Sequence, residues 1–91
     1  MPTYYALVDA MTGREADVEN GLRAEKRVLG VTRVKDRNHD FLIKFDAASF
    51  TLVDEFLQTH IRRISGVAGV EIIVDWQNHS DVIRDAAAKL A

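Results

Sequence analysis

The chain has no cysteine among its 91 residues, which excludes disulfides, thiolate chemistry and cysteine-ligated zinc. It has a single proline, Pro2, beside a hydrophobic content of 47%. That excludes a disordered chain, because disorder goes with low hydrophobicity and usually with more proline. No apolar run approaches the roughly 18 residues that a membrane-spanning helix needs. The start, Met1-Pro2-Thr3-Tyr4, lacks the basic and apolar regions of a secretory signal, so a cytoplasmic protein is expected. Neither sign of charge dominates: 12 Lys+Arg stand against 14 Asp+Glu, a net charge of -2. Non-specific nucleic-acid binding rests on excess positive charge and is not expected. A Gly-rich phosphate loop, G-x-S-x-G and H-E-x-x-H are all missing, so no strong catalytic motif is present.

What the sequence does contain is periodicity. Thr3–Ala10 is rich in aromatic and branched residues and predicts a strand. Arg14 to about Leu29 carries Val18, Leu22 and Leu29 at helical spacing. Gly21 weakens that helix by roughly 1 kcal/mol relative to alanine, and Gly30 suits its stop. Val31–Asp36 and Phe41–Asp46 predict two strands joined by the polar turn Arg37-Asn38-His39-Asp40, a hairpin. Asp46 or Ser49 can cap the next helix. In it Val53, Phe56, Leu57, His60, Ile61 and Ile64 form one wide apolar stripe. Ser65-Gly66 ends it, and Val67–Trp76 predicts a fourth strand with Val70, Ile72, Val74 and Trp76 on one face. Ser80-Asp81 can cap a C-terminal helix over Asp81–Leu90, with Ile83, Ala86, Ala87 and Leu90 on one side.

The order is β-α-β-β-α-β plus a short helix. Gly30-Val31-x-x-Val34 recurs as Gly66-Val67-x-x-Val70, an offset of 36 residues that also sets Tyr5 on Phe41 and Leu7 on Ile43. Two successive β-α-β halves make a ferredoxin-like sandwich of the α+β class, with both crossover helices on one side of an antiparallel sheet. The chain is expected to be one domain, residues 1–91, with its core over about 3–76 and the last helix over about 81–90. Strands 1 and 3 carry large apolar residues at both parities: Tyr4, Ala6 and Val8 against Tyr5 and Leu7, and Phe41, Ile43 and Phe45 against Leu42. One set would face water in a lone molecule. Pairing two sheets face to face, as in a dimeric α+β barrel, would bury it, so a homodimer is expected, with a higher ring as an extension.

Three histidines are candidates for chemistry. His60 lies in the apolar stripe and reads first as a boundary histidine with a hydrogen-bond partner; its sharper role is a general base or haem contact over an apolar cleft. With Trp76 it motivates an alternative, a dimeric α+β barrel monooxygenase-like enzyme. His79 sits in a polar linker, and His39 stands beside Asp40 in the turn. Two adjacent residues do not make a metal site, and neither metal nor cofactor is called for. Asp40 either fixes the hairpin through neighbouring amides or accepts from a ligand's ammonium group. Arg62-Arg63 complement the dipole at the end of their helix.

Asp40-Phe-Leu-Ile-Lys-Phe45, the apolar helix, and Ile61-Arg-Arg-Ile-Ser-Gly-Val67 together resemble the effector-binding (RAM) domain of Lrp/AsnC regulators. Leu29-Gly-Val-Thr-Arg-Val34 matches that family's lead into strand 2, and the likeness spans roughly residues 3 to 76. The I-x-x-I-x-G-V exit of the second helix is its most specific piece. The resemblance implies sheet-paired dimers, further assembly commonly to octamers, and an amino-acid-like effector held near the hairpin turn. It also implies a stand-alone form, since the helix-turn-helix of full regulators is not in this sequence, and co-assembly with a full-length regulator as a partner. The implied ligand-binding residues are Arg37, Asn38, His39, Asp40, Val70 and Ile72. Two departures stand out. The family's G-x-x-D turn has Arg37 at its glycine, and its T-x-T strand has Val70 and Ile72.

Overall fold

The computed structural model describes residues 1–36 and 38–90. Four strands, β1 (Thr3–Ala10), β2 (Val28–Asp36), β3 (His39–Asp46) and β4 (Val67–Ile72), form one antiparallel sheet in the order β2-β3-β1-β4. Helices α1 (Glu15–Ala24) and α2 (Phe50–Phe56) cross over one face, and α3 (Asp81–Leu90) follows β4. This is the ferredoxin-like β-α-β-β-α-β order that the sequence predicts.

One core lies between the sheet and α1/α2. Ala6, Val8, Phe41, Ile43 and Phe45 meet Val18, Leu22, Val53, Phe56 and Ile61 there, all buried. A second core lies on the other face. Leu7, Leu42, Val34 and Ile73 pack under Ile83, Ala86 and Ala87 of α3, with Tyr5 and Trp76 beside them. Leu7 and Leu42 have no exposed surface within the single chain. This corrects the premise of the expected face-to-face pairing. The second face is not open, because α3 folds back over it with the side of Ile83, Ala86, Ala87 and Leu90 inward.

Strand β3 starts at His39, so His39 and Asp40 of the expected turn are strand residues. Three further features differ from expectation. Helix α1 stops at Ala24, where Glu25 is extended (φ -76°, ψ 116°). Val28 then enters the sheet opposite Phe45. Burying Val28 and Val31 on the sheet gains more than prolonging a helix of Glu25-Lys26-Arg27. Gly30 is consequently a strand residue paired with Lys44, not a helix stop. Strand β4 ends at Ile72, so Trp76 does not share a face with Val70 and Ile72. The chain turns beneath the sheet, and Trp76 packs edge-on to Tyr5 at 5.2 Å between ring centroids.

The third difference is inside the second crossover. After Phe56 the helix widens into a π turn over Leu57–Ile61, with Arg62 N–H donating to Leu57 C=O at 2.9 Å. The i→i+5 bond inserts one residue into the stripe. Ile61 takes the buried place and His60 turns outward, exposed. The helix opens at Ser49, but its side chain forms no cap bond, and Asp46 accepts from Thr3 Oγ instead at 2.7 Å.

Candidate functional site at the hairpin end of the sheet

Each strand contributes one carboxylate near the β2–β3 hairpin: Asp9, Asp36, Asp40 and Glu71. His39 stands among them. Its Nδ1 lies 2.9 Å from Asp9 Oδ1, and its Nε2 lies 3.8 Å from Glu71 Oε2. The imidazole is 18% exposed and Glu71 57%, so one side of the group opens to solvent. Asp40 Oδ2 accepts from the Ala10 N–H at 2.8 Å, tying β3 to the end of β1. This differs from the hairpin-fixing role weighed for Asp40, a bond to neighbouring amides: the amide two residues on, in the turn, bonds to Asp36 instead. Asp36 accepts from the Asn38 N–H and from Ser80 Oγ, each at 3.0 Å. Those bonds hold its carboxyl below the usual aspartate range: the Asn38 amide first, Ser80 next, with a smaller pull from His39 and His79. Ser80 also opens α3, its C=O accepting from the Arg84 N–H at 3.1 Å. The hairpin and the start of α3 are therefore one unit.

The residues expected at the site are distributed as follows. Asn38, His39 and Asp40 lie together at the hairpin end, and Arg37 lies outside the described residues. Val70 and Ile72 pair with Val8 and Ala6 and are half-buried against the α1/α2 core. Between them Glu71 points to the opposite face, as strand alternation requires, and reaches His39. The turn and the strand-4 pair thus belong to different faces. Asp9, Asp36 and Glu71 were missed from sequence. The available signal was an acid inside an otherwise apolar strand, which is an expensive choice unless it is partnered or at an edge. Among the described residues no group of three His, Asp or Glu is arranged to hold a metal ion.

His60 is placed elsewhere. It stacks on Phe56 at 5.4 Å, with Nδ1 3.5 Å from Glu25 Oε2, on the outer side of the α1/α2 layer. The Arg27 guanidinium covers the same Phe56 ring at 4.4 Å. The groove beside them holds about 100 Å³. Trp76 belongs to the opposite face of the sheet, so the two residues that suggested an oxygenase-type cleft are not brought together.

Neither a scan of protein-family models nor a search of curated proteins finds a match. Solved structures do match. FFRP-DM1, a protein of the Lrp/AsnC family, superposes with a TM-score of 0.70 at 22% identity, over 80% of this chain and 96% of that one. A hypothetical protein from Pyrococcus horikoshii, PHS023, gives 0.66 at 22% identity, over 88% and 99%. The transcriptional regulator NMB0573 from Neisseria meningitidis, solved as an L-Met complex, gives 0.65 at 14% identity, over 88% of this chain and 54% of that one. The fold expected from the resemblance to Lrp/AsnC domains is thus met: the chain has the fold of FFRP-DM1 and of part of the NMB0573 regulator.

Proposed function

We propose that this chain is an effector-binding and assembly module of the Lrp/AsnC kind, taking an amino-acid-like molecule and carrying no DNA-binding part in these 91 residues. The observation that carries the reading is the fold shared with FFRP-DM1 and with a regulator solved as an L-Met complex. The hairpin end supports it chemically. Asp9, Asp36, Asp40 and Glu71 make that end an acceptor for a cationic ammonium group, with Glu71 and His39 at its solvent side. Helix α3 covers the second sheet face and the net charge is -2, which leaves neither an open stacking surface nor the positive charge that a nucleic-acid reader uses. Homodimerisation, growth to a ring and co-assembly with a full-length regulator belong to the same reading, as does a non-enzymatic role in the cytoplasm.

Calorimetry against the twenty amino acids, beginning with methionine, tests it. Binding of at least one is expected. Glu71→Gln should weaken it roughly tenfold, as loss of one charge-assisted hydrogen bond would. Glu71 is 57% exposed, so the variant keeps the fold. No heat from any of the twenty, with the chain folded, would remove the effector role.

A further inference from the structure

We propose that the outer edge of β2, with the stripe of α3 beside it, docks a second copy of this chain, the two β2 strands pairing antiparallel about a twofold axis near Thr32. This deepens the reading above and rests on it for the assembly, to which it gives an interface. The second sheet face cannot serve, because α3 already covers it.

Strand β2 is an outer strand of the sheet. Its register with β3 is regular over Gly30–Arg33, between two shifts. Two of its carbonyls are held only loosely by side chains: Val31 C=O accepts from Arg23 Nη2 and Arg33 C=O accepts from Thr32 Oγ, both at 3.4 Å. Good bonds of these kinds lie nearer 2.8–3.0 Å. The two carbonyls are two residues apart, which is the period on which strand main-chain groups face outward. An antiparallel neighbour centred on Thr32 would replace both contacts with ladder bonds between Val31 of one copy and Arg33 of the other.

The space beside this edge fits the same geometry. A cleft of about 360 Å³ is lined by Thr32, Arg33 and Val34 and by Val82, Asp85, Ala86 and Lys89. Side chains of consecutive strand residues point to opposite faces, so a wall made of three in a row is the main-chain edge itself. The helix residues follow at i, i+3, i+4 and i+7, one stripe. Apolar side chains flank the edge unburied: Leu29 is 57% exposed and Val82 44%.

Charge selects a second copy over another occupant. None of the ion pairs among the described residues uses Asp85 or Lys89. Helix α3 runs antiparallel to β2: Ser80 bonds Asp36 at one end and Leu90 lies over Gly30 at the other. A twofold axis at Thr32 therefore falls opposite the middle of the Asp85–Lys89 turn. It sets Asp85 of each copy against Lys89 of the other, two reciprocal pairs. An isologous interface requires this self-complementarity. Arg23 swings away from Val31 on docking and keeps its partner Glu19.

The chain has no cysteine, so Thr32→Cys introduces a lone thiol on the proposed axis. Directly opposed residues of an antiparallel pair have Cβ atoms about 4.5–5.5 Å apart, close enough for a disulfide after small adjustment. Under mild oxidation a covalent dimer is expected from Thr32→Cys and not from Asp54→Cys on the far helix. Sedimentation velocity should show a monomer–dimer equilibrium for the unmodified chain. Asp85→Lys and Lys89→Asp should each weaken it at least tenfold, and the doubly reversed chain should recover it. A monomer from micromolar to millimolar concentration overturns the proposal, whatever else the cleft takes. So does a dimer that ignores both reversals and leaves Thr32→Cys uncrosslinked. An intact dimer without amino-acid binding would instead sink the effector reading and leave the interface standing.

Discussion

Gly21 sits in the middle of α1, where helix propensity alone asks for alanine. A Cβ there would run into Ile64 Cγ2. The glycine is the place where α1 and the exit of the α2 crossover touch. Gly21→Ala gains up to about 1 kcal/mol of propensity, but wedging a methyl group against a β-branched side chain costs roughly 1–3 kcal/mol. A net fall in thermal midpoint is expected; an unchanged or raised midpoint would show that Ile64 gives way freely. The sequence supplied the propensity half of this balance and concealed the contact, because the two residues are far apart in the chain. Glu19 is a second case. Its carboxyl lies below the usual glutamate range because Arg33 and then Arg23 donate to it. A lowered folded value means stability present above the ordinary glutamate value and lost as pH falls through the depressed one. Both arginines are more than half exposed, so the contribution is under about 1 kcal/mol. Glu19→Gln should melt lower than the parent at neutral pH, and the gap should close below about pH 4. A gap that persists unchanged in acid would assign the loss to packing.

At the scale of elements, α3 was legible in its bounds and its inward side but not in its destination. Periodicity says which side of a helix is apolar and nothing about which surface receives it. The clue was composition: Ala86 and Ala87 suit a helix lying close on a sheet, and Leu7 and Leu42 needed a cover. Ile83, 1% exposed, is the largest side chain that α3 buries. Ile83→Ala should cost roughly 2–4 kcal/mol, while Val82→Ala, a step away on the exposed side, should cost well under 1 kcal/mol. Equal effects in urea denaturation would mean that α3 is not docked as described. The π turn was illegible for another reason. Both an α-helical and a π reading of Leu57–Ile61 bury Leu57, and only the fate of His60 separates them. The hairpin is intermediate: its place in the chain could be read from the sequence, and the partner of Asp40 could not. The acids that meet His39 come from β1 and β4, and such pairings depend on register that a sequence leaves open.

For the whole molecule, the cover of the second face and the edge of β2 make separable contributions to association. Ending the chain after Ser80 removes Ile83, Ala86, Ala87 and Leu90 from above Leu7, Leu42 and Val34, leaving an apolar patch on the sheet. Such a patch binds hydrophobic dye and draws copies together. It does so without charge, so the association should be insensitive to salt. The full chain should behave in the opposite way. Its association runs through two reciprocal Asp85–Lys89 pairs near the surface, and exposed pairs are screened as ionic strength rises past the physiological range. The truncated chain should therefore bind dye and self-associate equally at low and high salt. The intact chain should bind little dye and dissociate as salt is added. If truncation left dye binding and sedimentation unchanged, α3 would not be what shields the sheet, and the face rather than the edge would again be the natural seat of a second copy.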